Sequence, residues 1–248
     1  MLRELLAIFR SENPLSVMGE QFARMLKLTL EMTETAGTIF FENRNDPEER
    51  TRIYEQDVRV NKLERSIRKR VVAHLSLPGN TPDVPYCLLL MSLVKDVERI
   101  GDYAKNLAEL VDIRPEAVPD DEILRELQEI RRGVEDAFRS TWEIFASSDA
   151  ERAMQYIRQG RDLAYRCEAL IPRIARATYD ASATAVLVLC TRYYKRIGGH
   201  AINVLSAVVM PLHKVDYYDE DEIPSKRAKT TSPGSTGSKA STGSERKA

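Results

Sequence analysis

The chain is poor in the residues that staple small folds. Cysteine occurs three times in 248 residues, at Cys87, Cys167 and Cys190, widely spaced and without a C-x-x-C pair. An odd, scattered set points to buried free thiols in a reducing cytosol rather than to a disulfide framework or a zinc site. A chain of this length can bury a core without such staples. Long apolar runs are missing too: CLLLMSLV (87–94) and TAVLVLC (184–190) fall far short of the roughly 20 residues that a bilayer span requires. No charged n-region followed by an apolar run opens the sequence, so no export signal is read and a cytoplasmic protein is expected. Nucleophile triads, phosphate-cradling glycine loops and dinucleotide fingerprints are absent. So are the Glu-x-x-His pairs of di-iron bundle enzymes, which leaves a non-catalytic protein as the expectation.

What is present is charge and helical periodicity. The net charge of −1 is unevenly placed: from Pro224 onward the chain carries six Lys or Arg against one Glu, leaving the remainder at −6. Residues 224–248 contain no apolar residue larger than Ala, so they are expected to form a disordered basic tail. A basic tail alone is a weak basis for nucleic-acid binding, and none is expected.

Leu and Ile recur at three- and four-residue steps through 18–42, 48–77, 84–112, 120–147, 149–178 and 181–210, which predicts six long helices and no strand. Pro47 after Asp46 starts the second helix, and SLPGNTPDVP (76–85) separates it from the third. Pro115 and Pro119 make a central linker, followed by Asp120, Asp121 and Glu122 at a helix N-terminus. Ser147-Ser148-Asp149 offers the next cap, and Asp180 with Ala181-Ser182 marks the last break.

The third and sixth predicted helices repeat one another. VERIGDYAKN (97–106) returns ninety-seven residues later as KRIGGHAIN (195–203). Equivalent placement in helices three and six implies duplication of a three-helix unit, with domains at 15–114 and 119–215 before the 224–248 tail. The expected fold is all-α: two tandem antiparallel three-helix bundles.

One feature separates the copies. With Val97 as origin, a step of about 100° per residue puts Val94, Gly101, Ala104, Ile100, Leu93, Leu90 and Val111 on the buried stripe. Glu98 and Asp102 then lie at roughly 100° and 140°, flanking that stripe. On the second helix Glu64, Asp57 and Asn61 flank Leu63 at roughly 100°, 120° and 160°. Antiparallel neighbours would gather Asp57, Asn61, Glu64, Glu98 and Asp102 around one shallow groove. Gathered acids repel, so either nearby arginines (Arg65, Arg68, Arg70, Arg99) or a hard cation must offset them. Gly101, between the acids, lets a neighbouring helix approach closely.

EQDVRVNKLERSIRKRVVAHL (55–75) followed by LLLMSLVKDVERIGDYAKNLAEL (88–110) resembles the first repeat of the PhoU family of phosphate-uptake regulators. The E(D)-x-x-x-D motif of that family is matched by Glu98 and Asp102, and Asp57-x-x-x-Asn61 is similar to its partner motif with Asn in place of the last acid. The resemblance covers about residues 18–210 and is strongest at 55–110. It implies six helices in two bundles and multinuclear metal clusters, of iron or zinc, on the bundle surface; on residue chemistry the all-oxygen set of Asp57, Asn61, Glu64, Glu98 and Asp102 on the first repeat also suits a hard divalent cation (Mg, Mn, Ca). It also implies a homodimeric adaptor coupling the ATPase of a phosphate ABC transporter to a sensor histidine kinase, at the membrane only through those partners. Regulation of a sodium-coupled phosphate transporter, or a metal-free interaction scaffold, are the alternatives.

The second repeat departs from the motif. Lys195 replaces the Glu98 position, Gly199 that of Asp102 and Arg166 that of Asn61, while Asp162 matches Asp57. The resulting expectation is a second site without metal, in which Lys195 or Arg166 pairs with Asp162. His200, at the position of Tyr103, is read as a structural residue rather than a ligand, and Tyr103, Tyr193, Tyr194 and Trp142 as cover for the core.

Overall fold

The computed structural model describes residues 14–44 and 46–215; the basic tail expected at 224–248 lies outside them. Six long helices account for most of the described chain: α1 (Pro14–Phe41), α2 (Pro47–Leu75), α3 (Val84–Ala108), α4 (Glu122–Ser147), α5 (Ala150–Arg176) and α6 (Ala181–Val209). A helical turn, Leu110–Ile113, continues α3, and single 3-10 turns lie at Thr81–Asp83 and Leu212–Lys214. No strand occurs among the described residues.

Aspartate side chains cap four of the six helices. The carboxylates of Asp46, Asp121, Asp149 and Asp180 accept the backbone N–H of Glu48, Leu124, Arg152 and Ala183, satisfying donors that have no partner inside a helix. Pro47 occupies the first position of α2, where its missing N–H costs nothing. Asn43 and Ser148 follow α1 and α4 in the left-handed region, at φ 51° and 55°, and turn the chain back.

α1, α2 and α3 pack on one another as one three-helix unit, and α4, α5 and α6 as a second. The units join where α3 lies against α6 and α1 against α4. Phe22 meets Phe145 across the α1/α4 seam with ring centroids 5.5 Å apart, and Tyr103 meets Tyr193 across the α3/α6 seam at 6.0 Å. The apolar stripe read from Val97 is buried throughout. Tyr194 is completely buried, while Tyr103, Tyr193 and Trp142 pack partly buried on the core as expected. All three cysteines are free and buried, and burial holds the Cys87 thiol up at about 11 and that of Cys167 at about 12. No helix among the described residues is long and apolar enough to cross a membrane.

Candidate functional site

α2 and α3 do bring the acidic edges together. Asp57, Asn61 and Glu64 lie at four- and three-residue steps along α2, which keeps them on one face. Glu98 and Asp102, one turn apart, face them from α3. Asp57 sits deeper than helical geometry alone suggests: it is buried, whereas Asn61, Glu64, Glu98 and Asp102 are half-buried. Burial raises the Glu98 carboxyl above the ordinary range, and the negative charges of Asp102, Glu64 and Asp57 add to it against the relief from Arg99. The cluster is therefore an electrostatic unit and not a set of separate solvated acids.

Its compensation is specific. Arg68 pairs with Glu64 at 2.7 Å, and Arg99 reaches Asp102 at 3.2 Å and Glu98 at 3.7 Å. Arg65 instead donates to the carbonyl of Asn61, and Arg70 points to solvent. The centre of the groove is held by a residue that the sequence reading passed over. The Lys105 ammonium lies 3.3 Å from Asp57 Oδ2 and 3.5 Å from Asp102 Oδ1, while Asn61 donates its amide to the same Asp57 oxygen at 3.4 Å. Burial pulls the Lys105 ammonium down, but the two carboxylates outweigh it and leave it raised. The signal was available: Lys105 follows Asp102 by three residues and Glu98 by seven, on one helix face.

A metal needs convergent lone pairs. Among the described residues no three His, Cys, Asp or Glu side chains converge so as to hold an ion. A divalent cation drawing on both Asp57 and Asp102 would meet the Lys105 ammonium already between them, so the residues as arranged do not fit a metal. Gly101, for its part, serves the core. A Cβ there would stand 3.3 Å from Thr29 Cγ2, so the close approach that the glycine permits is by α1, on the side away from the groove.

In the second unit the expected ion pairs form with other partners. Lys195 binds Glu168 on α5, and Arg166 binds Glu129 at 2.7 Å and Glu126 at 3.7 Å on α4, so neither cation takes up Asp162, which is exposed. Glu168 lies six residues, about 9 Å, further along α5 than Asp162, and a longer side chain there meets the lysine first. Around Gly199 there is open space: a Cβ would find nothing within 4 Å.

Two buried polar clips join the repeats and escaped the sequence reading. Asp96 on α3 accepts Asn203 Nδ2 at 2.9 Å and contacts His200 Nδ1 at 2.7 Å, and the imidazole stacks on Tyr103. His200 is thus a structural group between α3 and α6. On the other seam Arg131 donates to Glu135 at 2.8 Å and to Thr38 at 3.3 Å, with its guanidinium 5.3 Å from the Phe41 ring centroid. Gly37 makes room for this clip: a Cβ would come within 2.6 Å of the Tyr194 hydroxyl and 2.7 Å of Arg131 Nε.

Fold and groove together define a class: an all-helical protein of two three-helix units joined through their first and third helices, with one acidic groove on the first unit. Residues 22–111, which lie within that first unit, match the family model described as PhoU domain. A relative from Thermotoga maritima, the phosphate-specific transport system accessory protein PhoU homolog 1, is 26% identical over 216 residues, covering 80% of this chain and 87% of its own. The crystal structure of PhoU from Pseudomonas aeruginosa superposes with a TM-score of 0.72 at 20% identity, over 81% of this chain and 97% of the other. That of the phosphate transport system regulatory protein PhoU from Streptococcus pneumoniae gives 0.68 at 18%, over 78% and 92%.

Proposed function

We propose that this protein is a non-catalytic regulator of phosphate transport, working in the cytoplasm as an adaptor between a phosphate transporter and a sensor kinase. The observation that carries the reading is the T. maritima accessory protein, whose similarity runs through both three-helix units. The site chemistry is compatible with it. The buried thiols are held protonated, and every carboxylate of the groove is set against a cation or an amide instead of a reaction space. In an adaptor of this kind helix faces do the work, and the groove acts as a charged recognition surface on α2 and α3. Self-association as a homodimer belongs to the same proposal.

Capture of tagged full-length protein from phosphate-replete cells tests it. A phosphate ABC transporter ATPase and a sensor histidine kinase are expected in the captured fraction, and a reversed charge at Glu98 or Asp102 should weaken their recovery. Recovery of neither, with the protein folded and abundant, contradicts the reading. The lysine in the groove favours an adaptor that operates without metal in this first repeat, as the metal-free alternative has it.

A further inference from the structure

α2 carries opposite charges on its two edges. The acids that face α3 lie at roughly 100° to 160° from Leu63, and Lys62 and Lys69 at roughly −100° and −120°. Along that second edge Arg59, Lys62, Arg65, Lys69 and Arg70 are exposed. Gln21 donates to Ser66 at 3.1 Å and Gln56 to Glu31 at 2.9 Å, which sets α1 antiparallel to α2 and brings the exposed Arg24 and Lys27 level with residues 60–63. The exposed acids here are Glu20 and Glu55, the latter 3.9 Å from Arg59. Lys62, Lys69 and Arg70 meet no carboxylate among the described residues. The second unit differs: on α5 Arg152, Arg166 and Arg173 are each paired with a glutamate of α4, Glu143, Glu129 and Glu126 in turn. The same face of α2 also exposes aliphatic side chains. Val58 is 48% exposed and Val72 62%, and Leu77 in the turn and Leu88 on α3 are 62% and 50%. The Lys105–Asp57 pair sets α3 antiparallel to α2 with Leu88 level with His74, so Val72, Leu77 and Leu88 share the tip of that hairpin.

We propose that the outer face of α2 from Val58 to Ala73, with the hairpin tip, is a membrane contact that lies against the anionic headgroups of a lipid bilayer. The helix between Val58 and Val72 gives this face a length of about 21 Å. Cations that are unpaired within the fold meet headgroup phosphates without first breaking an ion pair, and each Lys or Arg near such a surface is worth about fivefold in partitioning. The tip adds apolar side chains that the interface takes up, as in helices that lie on a bilayer. A lipid surface fits this face better than an acidic protein does. The heads of Lys62, Lys69 and Arg70 are held by no hydrogen-bonded socket that fixes their direction, which mobile headgroups tolerate and a specific protein partner does not. The resemblance in sequence implies membrane contact through partners only, whereas this contact is direct. It rests on the charge and exposure of α2 alone, so its failure leaves the phosphate-transport reading intact.

The test is co-sedimentation of the full-length protein with vesicles of equal parts phosphatidylglycerol and phosphatidylcholine, and with vesicles of phosphatidylcholine alone. Wild type is expected to bind the anionic vesicles at least about tenfold more tightly than the neutral ones, and less tightly as salt rises. Lys62→Gln, Lys69→Gln and Arg70→Gln combined should weaken that binding roughly a hundredfold. A charge-matched control, Arg158→Gln, Arg192→Gln and Arg196→Gln on α5 and α6, removes as many exposed cations elsewhere and should stay within about threefold of wild type. All these proteins carry the same C-terminal residues, so the six cations from Pro224 onward do not enter the difference. Val72→Ser with Leu77→Ser leaves the charge unchanged and should weaken binding at least about threefold. Equal loss in the two triple variants, loss in neither, no effect of the serine pair, or wild type that binds both vesicles alike each overturns the proposal. Retention of wild type on a polyglutamate peptide without vesicle binding assigns the face to an acidic protein and overturns it too.

Discussion

Glu98 is the residue whose ionisation the fold opposes most clearly within the groove. Its carboxyl is raised by burial and by neighbouring acids, so the folded chain holds a proton that the unfolded chain gives up more readily. Its contribution to stability therefore falls as pH rises from the ordinary Glu range through the raised value. Glu98→Gln is expected to flatten that segment of a stability–pH profile and to raise the thermal midpoint at neutral pH; an unchanged profile contradicts the placement. Lys105 has the opposite sense on the alkaline side: raised by Asp57 and Asp102 against its burial, it stabilises fully below the ordinary lysine range and ceases to as pH passes the raised value. Two glycines give a paired test. Gly37→Ala forces a Cβ against Tyr194 and Arg131, both pinned in the seam, and should cost about 1–3 kcal/mol in chemical denaturation. Gly199→Ala enters open space on a helix and should stabilise by about 0.5–1 kcal/mol.

The helices are set by their ends as much as by their faces. Asp121 accepts the Leu124 amide at 3.0 Å and the Tyr179 hydroxyl, tying the start of α4 to the chain between α5 and α6. Burial alone would raise its carboxyl, but the Tyr179 hydroxyl and the Leu124 and Ile123 amides outweigh it and hold it low. The stability it supplies is present above the ordinary Asp range and lost as pH falls through the lowered value. Asp121→Ala should cost about 0.5–2 kcal/mol by denaturant titration near neutral pH and should weaken the acid limb. An effect near zero means that the cap is made by water. At the other end of α4, Ser148 in the left-handed region is a position that glycine fills without a steric penalty, so Ser148→Gly should raise the midpoint.

Across the whole molecule, the sequence and the structure agree where the signal is local. Periodicity and Pro or Asp punctuation locate all six helices to within a few residues, and the duplicated RIG turn marks the two units. The acidic edge is legible because Glu98, Asp102, Asp57 and Glu64 sit at fixed angles from an apolar stripe. Pairing across helices is not legible in that way. Nothing near Lys105 in the chain says that Asp57, forty-eight residues earlier, is its partner, and nothing near His200 names Asp96, one hundred and four residues earlier. The sequence reading assigned the role of fixed cation to the second repeat alone, at Lys195 or Arg166 with Asp162. The structure holds one in each repeat, and in the second directs the pairs to Glu168, Glu129 and Glu126.

The central claim is regulation of phosphate transport, and its most direct measurement is the expression of phosphate-starvation genes in phosphate-replete cells that lack this protein. Loss of the chain should release those genes, and full-length wild type should silence them again. Glu98→Lys with Asp102→Lys, shown to fold, should not silence them. Genes that stay silent in phosphate-replete cells lacking the protein, with no functional copy present, would contradict the account.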